Sequence, residues 1–236
     1  MGPLTRQAFA GRAFDWRPSL ILAGASVRDR MVACLGALIG IASVAAISAM
    51  LGTPKDVAAV IVAPMGASAV LLFAIPASPL SQPWPVIGGN VVSALSGVIA
   101  FQAMPDLWLA AGVAVSLAML LMTFLRCLHP SGGGTALLAV VGGSSVHAAG
   151  LGFAFWPVGP NALLLVGSGL LFHRLSGHSY PHRSELAPVK AELPSRFRPG
   201  DIDSALAELG ETLDIDRDDL EVLLRLAERH AQRRQG

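Results

Sequence analysis

The stretch MVACLGALIGIASVAAISAML, residues Met31–Leu51, decides the fold class of this chain. It holds no charged side chain, and it is long enough to cross a bilayer core, which takes about 20 apolar residues. The same character continues as far as Phe172. The Lys, Arg, Asp and Glu residues between Met31 and Phe172 are Lys55, Asp56, Asp106 and Arg126. Because a soluble domain carries roughly a quarter of its residues as charges, we interpret this region as an integral membrane domain.

The terminal regions have a different composition. We divide the chain into a basic N-terminal segment (1–30), a transmembrane domain (31–175), a polar linker (176–200) and an amphipathic helical tail (201–236). The net charge of +1 averages these regions, so it gives no indication of nucleic-acid binding. The first apolar run starts too far from the N-terminus for a secretory signal, and we interpret it as an uncleaved span.

Six apolar stretches make up the membrane domain, separated by Pro, Gly or isolated charges. They are Met31–Leu51, Val57–Ile75, Val86–Met104, Leu107–Leu125, Thr135–Ala149 and Pro157–Phe172. We expect an all-α, polytopic membrane helix bundle of about six spans. Because the last two stretches are short for a crossing, four spans with re-entrant segments are the alternative.

Arginines close to the span ends predict the orientation. Arg28 and Arg30 flank the first span, and Arg174 and Arg183 follow the last. Such residues stay on the cytoplasmic side, so we expect both termini in the cytoplasm and the protein in the bacterial inner membrane. The expected partners are the lipid bilayer, a small anion and further copies of the chain, with no nucleic acid.

The membrane domain contains a weak internal repeat. Gly66–Leu72 (GASAVLL) aligns with Gly133–Ala139 (GGTALLA), and each segment closely follows a proline. Asn90 and Asn161 occupy matching positions further along. Because a unit of three spans is odd, the second copy is expected to be inverted relative to the first, as in many transporters. Chance alignment of small residues is the alternative.

The candidate site is centred on RCLHPSGGGT, residues Arg126–Thr135. Three consecutive glycines weaken a helix by roughly 1 kcal/mol each, so we expect unwound backbone there and a new helix starting near Thr135. Free amides and the positive end of that helix suit a small anion. The predicted binding residues are Arg126, His129, Ser131, Gly132, Gly133, Gly134 and Thr135, with Gly66, Ser68, Asn90 and Asn161.

Each of these residues also has a structural interpretation. Gly66, Ser68 and the glycines of the second segment can serve close helix packing. Arg126 can anchor the chain at the interface, while Asn90 and Asn161 can bond helix to helix rather than line a pathway. At the equivalent place in the first copy, the repeat predicts a second helix start near Gly66, opposite the one near Thr135, so that two positive helix ends approach the bilayer centre.

Enzymatic chemistry has little support in the sequence. His129 and His147 have no carboxylate near them in the chain, so no acid–base pair or nucleophile is indicated. Cys34 and Cys127 fit neither a disulfide framework nor a zinc site. We therefore expect no catalytic residue, no metal and no cofactor.

Several spaced motifs resemble the HPP family of integral membrane proteins, named for a His-Pro-Pro motif. They are His129–Leu138, Gly66–Phe73, Ser78–Pro83, Gly88–Asn90 and Tyr180–Arg183. Ser131 stands where the family usually has its second proline. The resemblance implies a domain with four membrane spans. Some plant and cyanobacterial members are associated with nitrite transport, so it also implies a small transported anion.

The tail is predicted to form two amphipathic helices, Asp201–Leu209 and Asp216–Arg234. Many longer members of the HPP family continue from a similar acidic segment into a pair of CBS domains, which this sequence lacks. We expect the tail to serve self-association or membrane docking. Two functions therefore stay open: a transporter or channel for a small anion such as nitrite, and a membrane sensor or scaffold that recruits a partner through this tail.

Overall fold

A computed structural model describes residues 26–52, 55–183, 198–210 and 213–234. Most of the N-terminal segment and of the polar linker therefore lies outside the described residues. The helices are α1 (Val27–Met50), α2 (Lys55–Ala74), α3 (Pro83–Ala103), α4 (Leu107–Phe124), α5 (Ser131–Val141), α6 (Ser144–Ala149), α7 (Gly159–Ser176), α8 (Pro199–Leu209) and α9 (Arg217–Arg233). A 3₁₀ turn (Pro79–Ser81) precedes α3, and a π-helical turn (Ala154–Val158) leads into α7.

The predicted all-α membrane helix bundle is confirmed. Within the described ranges, four helical segments are long and apolar enough to cross a bilayer: Val27–Met50, Pro83–Ala103, Leu107–Phe124 and Ala154–Ser176. Two shorter apolar segments accompany them, Ala63–Ala74 of α2 and Ser131–Val141, which is α5. We call these two the half-helices. The choice between six spans and four spans with re-entrant segments stays a prediction.

The fifth predicted span, Thr135–Ala149, is wrong as a continuous helix. It starts four residues earlier, at Ser131, and it ends at Val141. Gly143 then adopts a φ of +83°, a left-handed conformation that glycine reaches without steric cost. The short helix α6 follows the break.

The helix packing agrees with the predicted duplication. Three contacts occur in matched pairs. The contact of α1 with α2 matches that of α4 with α5, and the contact of α1 with α7 matches that of α4 with α3. The contact of α2 with α7 matches that of α5 with α3. In addition α2 packs on α5 and α3 on α7. This pattern is unchanged when α1, α2 and α3 are exchanged for α4, α5 and α7. The first half of the domain is therefore α1–α3, and the second is α4, α5 and α7.

Mostly small side chains at every fourth position form the buried faces of α1 and α4. In α1 these are Gly36, Gly40, Val44 and Ser48, and in α4 they are Ala110, Ala114, Ala118 and Met122. Residues four apart lie on one helix face, and small residues let neighbouring membrane helices approach closely. A Cβ atom on Gly40 would lie 2.7 Å from the ring of Phe73 on α2, so this contact requires glycine.

The two halves run in opposite directions. Arg30, in the first turn of α1, donates to the carbonyl oxygen of Ala74 at the end of α2, at 3.1 Å. His173, near the end of α7, contacts the carbonyl oxygen of Leu72, also in the last turn of α2. The end of α2 therefore lies with the start of α1 and the end of α7. The ring of His147, just after α5, stacks instead on Phe101 at the end of α3. α2 and α5 thus end on opposite sides of the bundle.

The helical tail agrees with its predicted bounds to within two residues. Arg217 joins α9 to α8 through a hydrogen bond to Asp203 at 2.7 Å, and this contact holds the pKa of the exposed Asp203 carboxyl below its usual range. The tail meets the membrane domain through Ser78, which donates to Asp214 at 2.8 Å. His182 also lies 2.8 Å from Asp219.

Candidate functional site

Five polar side chains lie buried where α2, α3 and α5 meet. They are Ser68, Asn90, His129, Ser131 and Thr135, and each is at most 4% exposed. All five were selected from the sequence, although they come from three separate segments. Buried polar groups are costly unless they are hydrogen-bonded, so their partners decide what this site can do.

The hydrogen bonds among these side chains run in one direction. His129 Nδ1 lies 2.8 Å from the carbonyl oxygen of Leu80, and because a carbonyl only accepts, Nδ1 carries the hydrogen. Nε2 of this neutral imidazole then accepts from the Ser68 hydroxyl at 2.9 Å. The Asn90 amide donates to Ser68 at 3.3 Å, and the Thr135 hydroxyl donates to Asn90 Oδ1 at 2.6 Å. We call these four linked side chains the polar chain.

Ser131 connects the two half-helices next to the polar chain. Its hydroxyl donates a short hydrogen bond to the carbonyl oxygen of Pro64 in α2. Pro64 and Ser131 are separated by the same interval as Gly66 and Gly133, so equivalent positions of the two halves touch one another. The half-helices therefore meet at the pseudo-twofold axis of the domain.

The expected unwound backbone at the three glycines is wrong. Gly132, Gly133 and Gly134 lie inside the first turns of α5, and the irregular backbone lies before them, in residues 125–130. The amides of Gly132 and Gly133 donate to the carbonyl oxygens of His129 and Pro130 at 2.8 and 3.2 Å. Close packing requires glycine at the first of the three positions, because a Cβ on Gly132 would overlap Ser93 of α3.

The opposing helix start expected near Gly66 is also wrong. α2 begins at Lys55 and continues through Pro64, which lies inside the helix. A proline inside a membrane helix is tolerated where neighbouring groups satisfy the backbone. Gly66 has open space where a Cβ would be, so it makes no close packing contact. Among the helices of the described residues, α5 is the one that begins at the buried polar side chains.

A groove of about 860 Å³ lies between the half-helices. Its lining is mostly apolar and consists of Ala63, Pro64, Ala67, Val70, Leu71, Pro130, Ser131, Gly134, Leu137, Leu138 and Val141. Each of the first five residues is separated from one of the next five by the same interval as Gly66 and Gly133. The two sets of five are therefore equivalent in the two halves. The groove therefore straddles the pseudo-twofold axis, and Ser131 is the member of the buried polar cluster that reaches it.

The two remaining predicted residues lie away from the polar chain. Asn161 accepts a hydrogen bond from the Ser48 hydroxyl at 2.7 Å, which joins α7 to α1. Arg126 is exposed and has a φ of +53°, in the turn that ends α4. There the amide of Cys127 donates to the carbonyl oxygen of Met122 at 2.9 Å, a hydrogen bond typical of helix C-termini.

Sequence reasoning missed the backbone carbonyls that accept hydrogen bonds from the buried polar side chains. The carbonyl oxygens of Leu80 and Pro64 accept from His129 and Ser131, and Val86 accepts from Asn90 at 2.8 Å. Main-chain carbonyls carry no residue-type signal, so no sequence motif could have indicated them.

The polar chain is neutral and rich in hydroxyl groups. Its partners are backbone carbonyls and uncharged side chains. The hydroxyls of Ser68 and Thr135, and that of the neighbouring Ser131, can each turn about a single bond toward another acceptor. In the described residues, no group of three or more His, Cys, Asp or Glu side chains is placed to hold a metal ion. The arrangement can therefore offer several hydrogen-bond donors to a small solute without bringing a negative charge near it.

The fold and its buried polar cluster define a polytopic integral membrane protein with an inverted pair of helix units. A family model described as "HPP, transmembrane region" matches residues 23–181, and the chain belongs to this family. The resemblance deduced from the motifs is therefore confirmed.

Two curated relatives come from Dictyostelium discoideum, and each is named only as a transmembrane protein. One is 36% identical over 127 residues, which cover 52% of this chain and 44% of the relative. The other is 36% identical over 114 residues, covering 47% of this chain and 36% of the relative. The chain thus matches less than half the length of either protein. No solved structure matches.

Proposed function

We propose that this protein is a transporter or channel that moves a small anion, such as nitrite, through the centre of the membrane domain. The observation that carries the proposal is the buried, carboxylate-free group of hydroxyls at the N-terminus of α5. Polar side chains inside membrane domains are costly and mark solute pathways by default. An anion at this position would also face the positive end of a helix.

The route we propose requires the solute to replace internal hydrogen bonds. In the structure the Thr135 hydroxyl is used by Asn90 and the Ser68 hydroxyl by His129. These contacts describe a closed state. An anion that accepts from both hydroxyls, and from Ser131, offers the donors an equivalent partner, so that opening leaves no donor unpaired.

A reconstitution experiment tests the proposal. We expect purified protein in proteoliposomes to support nitrite flux well above that of empty vesicles, with a known anion channel as the positive control. Thr135→Val keeps the shape of the side chain but removes its hydroxyl, and we expect it to lower the flux about tenfold, the equivalent of one hydrogen bond.

The matched control is Ser96→Ala, since Ser96 is equally buried but donates to Val92 of its own helix. Its flux should equal that of the wild type. Absence of anion flux from folded protein would contradict the function, whereas wild-type flux in Thr135→Val would move the site away from the polar chain.

A scaffold is the second candidate function, and the tail supports it. α9 has no buried residue, and the Leu223 side chain in its apolar stripe is 56% exposed. Removal of residues 184–236 distinguishes the two functions: transport should survive the truncation, whereas partner recruitment should be lost.

A further inference from the structure

Each half-helix ends against a histidine. His173 Nε2 lies 2.9 Å from the carbonyl oxygen of Leu72, in the last turn of α2. His147 Nε2 lies 2.9 Å from the carbonyl oxygen of Val140, in the last turn of α5. The last four carbonyls of a helix lack partners within it, so both imidazoles supply a missing donor. Because a carbonyl only accepts, Nε2 carries the hydrogen in both rings.

The surroundings of the two histidines are also alike. His147 stacks on Phe101 with ring centroids 3.7 Å apart, and His173 packs edge-on to Phe172 at 5.6 Å. Phe101 and Phe172 are separated by the same interval as Asn90 and Asn161, so they are equivalent in the two halves. The histidines themselves occupy non-equivalent positions, since Gln102 takes the place that corresponds to His173.

The two histidines lie at opposite ends of the domain. α3 begins beside the connector that contacts the tail, where Tyr180 donates to the carbonyl oxygen of Ser81 at 2.9 Å. The same end holds His173, whose ring lies 5.3 Å from that of Tyr180. α3 finishes at the other end, beside His147. One histidine therefore faces each side of the membrane.

His173 adds an observation that points to a ligand. The residue is 1% exposed, yet its Nδ1 atom has no hydrogen-bond partner among the described residues. The ring lines a small cavity of about 50 Å³. This is more than the space that one water needs, so a water or a proton can reach the unused nitrogen.

We propose that His173 and His147 are proton-binding sites, one for each side of the membrane, that set the rate of solute passage. The neutral ring already donates through Nε2, and proton uptake at Nδ1 places a full positive charge at the negative end of a half-helix. That charge strengthens the contact of α2 with α7 and of α5 with the end of α3. Since opening requires the half-helices to move, acidification on either side lowers the flux.

Other charged groups surround both rings. Asp29 and Arg30 of α1 and His178 line the cavity with His173, Tyr180 packs on its ring, and Arg174 follows it on α7. α6, which holds His147, packs on α2 and α5, and Asp106 lies just beyond the end of α3. None of these groups donates to the carbonyls of Leu72 or Val140. Among the described residues, His173 and His147 are the imidazoles that donate to the last turns of the half-helices.

The flux part of the experiment rests on the proposed function, and the proton-binding part does not. The ¹⁵N resonances of the six histidines in bilayer-embedded protein are followed between pH 5 and 8. We expect those of His173 and His147, assigned by His173→Gln and His147→Gln, to show proton uptake at Nδ1. Titration of neither ring would overturn the proposal, whether or not the protein carries an anion.

Flux is then measured with the pH set separately on the two sides of the vesicles. We expect at least a threefold decrease in wild-type flux as either side is acidified from about pH 7.5 to 5.5, a range centred on the histidine pKa. His173→Gln keeps an N–H donor without a proton site and should abolish the response to the side that holds the tail. His147→Gln should abolish the response to the other side.

His182→Gln is the matched control, because His182 pairs with Asp219 of the tail and not with a half-helix. It should keep both responses. A double variant, His173→Gln with His147→Gln, that retains the wild-type pH profile would refute the proposal. If the wild type carries no flux, the proposed function fails and the resonance titration alone decides whether the two sites exist.

Discussion

The half-helices of α2 and α5 occupy equivalent places in the domain, but they differ in how they reach its centre. α5 begins there, at Ser131, and its first turn lies against the polar chain. α2 passes through the centre as a continuous helix with Pro64 inside it. The second half therefore supplies a helix N-terminus, while the first supplies a carbonyl oxygen, that of Pro64, and the Ser68 hydroxyl. A duplicated scaffold can thus keep its packing while its two copies take different chemical roles.

The asparagines show the same division. Asn90 has hydrogen bonds to α2 and α5 and lies at the centre of the polar chain. Asn161, its equivalent, joins α7 to α1 through Ser48. One copy is part of the candidate site, whereas the other holds two helices together at the periphery.

The largest difference between the halves is expected at two glycines. In Gly132→Ala the new Cβ would overlap Ser93 and lie 2.9 Å from the Met122 sulfur, so overpacking should cost about 1–3 kcal/mol of stability. Gly66→Ala meets nothing within 4 Å and should be neutral or stabilising, by up to about 1 kcal/mol from helix propensity. Thermal unfolding in detergent measures both. Equal effects would mean that α5 does not pack on α3 as described.

A smaller difference is expected between the asparagines. Asn90→Ala removes the acceptor that Thr135 bonds at 2.6 Å and the amide that donates to Ser68, and it should cost about 1–2 kcal/mol. Asn161→Ala removes one contact worth about 0.6 kcal/mol. The same unfolding measurement, with Ser96→Ala as a reference for buried hydroxyl loss, compares them. A greater cost at Asn161 would contradict the assignment of the polar chain to the centre.

The smallest effect should be the same in both halves. Ser26 is the N-cap of α1, and its hydroxyl accepts from the amide of Asp29 at 3.2 Å. Asp106 is the N-cap of α4, and its carboxylate accepts from the amide of Leu109 at 2.8 Å. Ser26→Ala and Asp106→Ala should each cost about 0.5–1 kcal/mol, the usual value of a helix cap. Unfolding midpoints that differ by more than this would show that one of the two helices is anchored by something other than its cap.

Much of the fold could be predicted from the sequence because hydropathy and breaks are local properties. The scarcity of charge between Met31 and Phe172 indicated the membrane domain, and Gly, Pro and charged turns located most helix ends to within a few residues. The tail helices were also predicted, since a polar sequence with a regular apolar stripe has few alternatives.

The local conformation of the glycines could not be predicted in this way. Isolated propensity favours an unwound Gly132–Gly134, but in the folded bundle the helix brings Gly132 so close to α3 that a Cβ there would overlap Ser93. The continuous helix through Pro64 was not predicted for a similar reason. Tertiary packing can satisfy the backbone groups that a proline leaves unpaired in a membrane helix.

The sequence by itself determined that this protein is a membrane helix bundle of the HPP family, because apolar length and the order of the motifs are properties of the chain alone. It predicted the duplicated core, with which the helix packing agrees. Only the tertiary structure decided which polar residues act together. Ser68, Asn90, His129 and Thr135 come from distant segments, and their direction of hydrogen bonding depends on the carbonyl of Leu80, a group that every residue type possesses. The pairing of His173 and His147 with the ends of the half-helices is decided in the same way, by helix ends that meet only when the bundle is packed.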